Sequence, residues 1–167
     1  MALRLKIQIE ELRDPEVWRQ LVVPETYTFH KLHKVIQVAF GWSGFREYEY
    51  PEKVSSTKLP LNDVFQKRGS ILQYIYDLSD QWVHRIKFEE WVEENPPKPY
   101  CLNGEGACPP ENCGGIWMYK KFKKMWEKDP HSEEILDLQK SLKIQIPDGW
   151  TPSAFDLNEI NRRLNWM

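Results

Sequence analysis

The chain has no apolar run approaching the roughly 18 residues of a membrane-spanning helix, which with a mean hydropathy of -0.65 argues against an integral membrane protein. Its opening stretch, MALRLKIQIEEL, lacks the apolar core of about 7–15 residues that a secretion signal needs. Neither sign of charge dominates. Lys and Arg number 23 and Asp and Glu 25, so a net charge of -2 supplies no global basic field for nucleic acid and no acidic excess typical of disorder. Cysteine is scarce: three residues, an odd number, all between Cys101 and Cys113, which suits a reduced compartment better than a disulfide framework. These absences predict a soluble, cytoplasmic protein with no membrane partner, in which any charged site is local.

What is present is material for one core. At 167 residues, with 41% hydrophobic side chains and 8 Trp, the chain is the length of a single domain and can fold by burial. Leu3, Leu5, Ile7 and Ile9 alternate with Arg4, Lys6, Gln8 and Glu10, the pattern of a strand with one wet face. A turn at Asp14-Pro15 leads to VWRQLVVP, a second strand paired as a hairpin. From Thr28 the period becomes helical, with Phe29, His33, Ile36 and Phe40 on one arc, Thr28 as cap and Gly41 as terminator. FREYEY (45–50) reads as a strand and Leu61–Gln66 as a short helix.

ILQYIYDL and QWVHRIKFEEWV form the clearest hairpin, with Trp82, His84, Ile86 and Phe88 on one face. Residues 95–115 then collect 5 of the 12 Pro, 4 of the 8 Gly and every Cys, and read as one long loop. Loops longer than about 12–15 residues are uncommon unless functional, disordered or tied down. Three helices are expected in the last third: 116–128, from 131 or 132 toward 140, and 152–164.

Three constellations could carry chemistry. In the loop, Cys101, Cys108 and Cys113 stand at C-x6-C-x4-C spacing among Pro and Gly. Three thiolates completed by His84, or by His131, would suit zinc, although the spacing is not that of a standard finger. The plainer reading makes them small buried hydrophobes in a rigid loop. Asp77, Asp80 and His84 cluster at the hairpin turn, where a carboxylate could orient an imidazole. The ordinary alternative is two turn-forming aspartates and a half-buried histidine with a satisfied partner. His33, on the apolar arc of the first helix, reads as core, and could approach His84 if that helix packs on the hairpin. Lys120, Lys121, Lys123, Lys124 and Lys128 could meet phosphates, but a solvated helix looks the same. No Walker loop, GxSxG elbow, HExxH helix or dinucleotide fingerprint is present.

Taken in order, WRQLVVP, TFHKLHKVIQVAFGW, YIYDLSDQWVHRIKFE, ACPPENCGG, DPH and FDLNEINRRL resemble the Ri-plasmid open-reading-frame-three-like family over nearly the whole chain. The resemblance implies a single α+β domain, an association with plasmids and with passenger proteins of insertion elements, and no particular biochemical activity. Carried over by position, it implies importance for Trp18, for Leu32, His33 and Gln37, and for Gly41 and Trp42. In the hairpin it marks Tyr76, Asp77, Asp80, Trp82 and His84, and in the loop Cys108, Pro109, Pro110, Gly114 and Gly115. The chain departs from the family where two histidines often follow the Gly-Trp pair, showing Arg46 and Tyr48. It has Leu78-Ser79 where Phe-Gly is usual, and Cys113 where Val is frequent.

The expectation is therefore an α+β fold, an antiparallel sheet of hairpins packed against helices, in one domain over 1–167 with a Pro/Gly/Cys-rich loop at 95–115. Its function is expected to be that of a binding or interaction module. The candidate pocket lies where the hairpin meets the loop, with Trp42 and Trp82 as apolar walls beside Asp77, Asp80 and His84. Two alternatives stay open. One is a zinc-binding protein or metal-assisted hydrolase using Cys101, Cys108, Cys113 and His84. The other is a nucleic-acid-binding protein.

Overall fold

Alternation of side chains builds the centre of the sheet. A computed structural model describes residues 1–167. In it β1 (Ala2–Ile9) turns Leu3, Leu5, Ile7 and Ile9 fully inward. It pairs on one side with β2 (Trp18–Pro24) and on the other with β5 (Trp82–Val92). Strands β3 (Tyr48–Glu49) and β4 (Ile71–Tyr76) extend the sheet beyond β5, and β6 (Tyr100–Glu105) extends it beyond β2. The order is β3-β4-β5-β1-β2-β6, every pair antiparallel.

Helix α1 (Phe29–Phe40) begins where Thr28 accepts a hydrogen bond from the Lys31 amide and ends at Gly41, whose φ of 99° is left-handed. Phe40 meets His84 of β5 and His33 meets Tyr74 of β4, so α1 lies across the sheet. Helices α2 (Ile116–Lys128), α3 (Glu133–Leu142) and α4 (Leu157–Asn165) follow, with Tyr119 of α2 packed on Trp82. One contiguous core of 33 buried residues joins all of this. No helix is long and apolar enough to cross a membrane.

The stretch 95–115 is not one loop. Its prolines sit at 96, 97, 99, 109 and 110, leaving Tyr100–Glu105 free to pair with β2 as an edge strand. That edge is closed by α4. Asn161 accepts from the Cys101 amide at 2.7 Å and donates to the Cys101 carbonyl at 2.9 Å, standing in for a further strand. Gly104 admits the other half of the seal, since a Cβ there would lie 2.5 Å from the Phe155 ring. The expected strand at 45–50 shrinks to Tyr48–Glu49, and the expected helix at 61–66 to one 3-10 turn, Leu61–Asp63, capped by Val64, whose amide donates to the Leu61 carbonyl.

Candidate functional site

The hairpin between β4 and β5 does meet the 108–115 segment. Asp77, buried and at φ 60°, uses Oδ1 to accept from the amides of Ser79 (3.1 Å) and Asp80 (3.2 Å), so it shapes the turn. Its other oxygen lies 3.8 Å from the Arg46 guanidinium. Asp80 is half-buried, and burial followed by the nearby Asp77 charge raises its carboxyl pKa. Gly115, at φ 93°, passes so close that a Cβ would sit 2.8 Å from the Asp80 carbonyl oxygen.

Behind this turn, three of the sequence-marked residues are packed rather than open. Trp82 is 2% exposed and His84 is entirely buried, so both are packed inside; Trp42, at 6%, lines a hollow of about 360 Å3 that it shares with Gln37, Arg162, Arg163 and Trp166. The reason is aromatic packing: the Trp42 ring lies 5.0 Å from Tyr76 and 5.5 Å from Trp82. His84 has both nitrogens engaged. Nδ1–H donates to the Trp82 carbonyl at 2.9 Å, which leaves Nε2 to accept from the Trp42 indole at 3.1 Å. Burial lowers its pKa to about 4, so it is neutral at physiological pH.

The zinc set considered from the sequence is not assembled. No three or more His, Cys, Asp or Glu side chains come together as metal ligands, and all three cysteines are free thiols. Cys101 belongs to β6 and donates to the Asn103 carbonyl, His84 is hydrogen-bonded as above, and His131 lies exposed at the start of α3. Burial pushes every thiol pKa up, against the pull of the Arg19 charge at Cys101 and Cys108.

His33 is a core residue that approaches His84 through a third ring. Its Nδ1 is 2.7 Å from the Tyr74 hydroxyl, to which Gln37 also donates at 2.9 Å, while the Tyr74 ring stands edge-on to His84 at 5.1 Å. Tyr48 stacks on His33 at 3.6 Å, and burial lowers the His33 pKa to about 4. Tyr48 also meets His30 at 2.9 Å.

One open cleft lies beside this cluster. A cleft of about 580 Å3 runs between the end of α1, the Ala107–Glu111 segment, the 145–150 loop and α4. Its walls include Phe40, Pro109, Trp150, Phe155 and Ile160, and Arg19 reaches its lining from β2. Arg19 is only 2% exposed. It donates to four backbone carbonyls: Nε to Ala39 (2.9 Å), Nη1 to Trp18 (2.8 Å) and Glu105 (2.9 Å), and Nη2 to Gly106 (2.9 Å). Phe40 and Phe155 cover its plane at 5.0 and 4.9 Å. The sequence carried one signal for it: alternation puts Arg19 on the same inward face as Leu21 and Val23.

The α2 lysines do not make a clean basic surface. Lys123 is tied to the carbonyls of Arg13 and Asp14 and lies 4.0 Å from Glu127, and the hollow beside Lys120 and Lys124 is also lined by Glu11, Asp14 and Glu127.

The model of the plasmid pRiA4b ORF-3-like protein family matches residues 1–159. The chain belongs to that family. This ORF-3-like chain is 32% identical over 138 residues to the uncharacterized protein y4hQ of Sinorhizobium fredii, a match covering 72% of this chain and 71% of the relative. It also superposes on the crystal structure of MM3350, a protein of unknown function from Methanosarcina mazei Go1. The TM-score is 0.77 at 30% identity, over 95% of this chain and 96% of the other. Positions that the resemblance marked gather in one buried region of the ORF-3-like fold: His33, Gln37, Trp42, Tyr76, Asp77, Trp82 and His84. Where the two histidines often stand, Tyr48 stacks on His33 and Arg46 donates to Asn112 at 2.7 Å.

Proposed function

We propose that this ORF-3-like protein is a binding module, serving plasmid or mobile-element biology, whose ligand occupies the cleft above Arg19. The observation that carries this is a cleft of about 580 Å3 whose walls mix apolar and charged side chains, with a buried guanidinium in its lining. Sites for small molecules have this size and combine apolar surface with polar anchors. The buried imidazoles and the thiols that the sequence offered for chemistry are engaged or shielded. His84 has both nitrogens hydrogen-bonded, His33 is held by Tyr74 and Tyr48, and burial keeps the thiols protonated. The hairpin and its tryptophans then act as the support that fixes the 108–115 wall of the cleft.

A fragment library screened by protein-observed NMR tests the reading. Binders should shift the amides of Ala107–Glu111 and of the 145–160 segment. Ala154→Trp, which fills the cleft from its rim, should abolish those shifts while the rest of the spectrum stays in place. Binders that shift other surfaces alone, or that ignore Ala154→Trp, would sink the reading.

A further inference from the structure

We propose that the cleft takes an organic carboxylate, a monoanion on an apolar body, anchored by the fifth N–H of Arg19. This rests on the cleft being the binding site. A guanidinium has five N–H bonds. Four donate to backbone carbonyls, which leaves one on Nη2 without an acceptor. Arg19 also forms no ion pair with any carboxylate of the chain. Buried charges are ordinarily paired with an opposite charge, because carbonyl dipoles replace only part of the lost hydration. An anion from outside supplies both the missing acceptor and the missing charge.

The rim decides which anion. Glu111 is held by the Ser43 amide (2.7 Å) and the Tyr76 hydroxyl (3.0 Å), Asp156 caps α4, and Glu159 is bound by Arg162 and Arg163. Asp148 is the one rim carboxylate with neither a hydrogen bond nor an ion pair to its side chain. Four acidic groups stand around the buried donor, with Arg163, held by Glu159 through Nε, the one other cation in the lining, and they work against a phosphate dianion, which needs several donors and meets more repulsion. A carboxylate needs one strong bond, and its apolar body finds Trp150, Phe155 and Ile160.

Benzoate, benzamide and benzylamine, titrated into 15N-labelled protein, test this. Benzoate should shift the Arg19 Nε–H signal and the Ala107–Glu111 amides saturably, with benzamide at least about tenfold weaker and benzylamine inert. Arg19→Lys orphans backbone carbonyls and so disturbs folding, and Ala154→Trp serves as the second variant: it retains Arg19 and should lose benzoate binding. Equal binding of benzoate and benzamide in the cleft would overturn the anionic anchor while leaving the binding-module reading standing. Benzoate that moves only the Arg162 and Arg163 signals, that still binds Ala154→Trp, or that does not bind at all, overturns the anchor as well; the fragment screen then judges the cleft by itself.

Discussion

The indole N–H of Trp42 donates to Nε2 of His84 across 3.1 Å, at a point where the imidazole is wholly out of solvent. Because Nδ1–H is already given to the Trp82 carbonyl, Nε2 has no other acceptor role to fill and no water to fall back on. Trp42→Phe keeps an aromatic ring but orphans that nitrogen. An unpaired buried acceptor costs about 1–3 kcal/mol, and the smaller ring adds a packing loss. Urea unfolding should therefore show Trp42→Phe less stable by about 2–4 kcal/mol. A loss under about 0.5 kcal/mol would mean that the pair is incidental to the fold.

Two glycines with the same sign of φ should respond differently to one methyl group. Gly41, at φ 99°, has nothing within 4 Å of a built Cβ, so Gly41→Ala bears only the left-handed backbone cost of about 1 kcal/mol. Gly115, at φ 93° and ψ -177°, would place its Cβ 2.8 Å from the Asp80 carbonyl oxygen. Both backbone strain and a clash between α2 and the hairpin turn then act, and Gly115→Ala should lose about 3 kcal/mol or more. Equal thermal midpoints for the two variants would show that the turn and the loop are not in tight contact.

Period and punctuation carried the strands and helices because those signals are local. Leu3 to Ile9 alternate, Thr28 and Gly41 bracket a helix, and Trp82 to Phe88 face inward as their spacing demands. The edge strand Tyr100–Glu105 is masked in the composition of 95–115 because the prolines that dominate that stretch lie outside the strand itself. Its stability comes from β2 and from Asn161, 60 residues away, which no local pattern reports. The site divides in the same manner. The sequence reading puts the candidate pocket where the Asp77–His84 hairpin meets the loop, whereas the closure of Trp82 and His84 depends on α1 and α2 arriving from elsewhere in the chain. Arg19 looked like any strand arginine until four carbonyls from three segments converged on it.

Cys113 is fully buried, and burial holds its thiol protonated, so it behaves as a small apolar side chain. Cys113→Val should change unfolding free energy by less than about 1 kcal/mol, since the two side chains are close in volume and both lack a demanding polar group. Under native conditions a disulfide reagent should leave Cys101 and Cys113 unmodified until the protein unfolds, with half-buried Cys108 the slow exception. Rapid reaction of all three thiols, or loss of bound zinc on Cys113→Val, contradicts this picture.

Acidification should weaken the fold well above the range where most carboxylates titrate. His84 and His33 have pKa values lowered by burial from 6.5 to about 4, whereas in the unfolded chain each titrates near its ordinary value. Between these values the unfolded state binds protons that the native state refuses. Stability is therefore full above pH 6.5 and falls as pH drops toward about 4. For His84 the loss is about 3 kcal/mol across that window, and His33, nearer the surface, adds a smaller amount. Asp80, whose carboxyl burial raises, acts in the opposite sense at the lower end, and Glu159, lowered to about 2 by Arg162 and Arg163, contributes only below its ordinary range. Urea midpoints measured at half-unit steps should slope downward through this window in the native sequence and less steeply in His33→Gln, which keeps a polar side chain but removes one titration. A flat profile from pH 6.5 to 4 would mean that both imidazoles take up protons without leaving the core, and that the Trp42–His84 and Tyr74–His33 bonds do not fix their charge state.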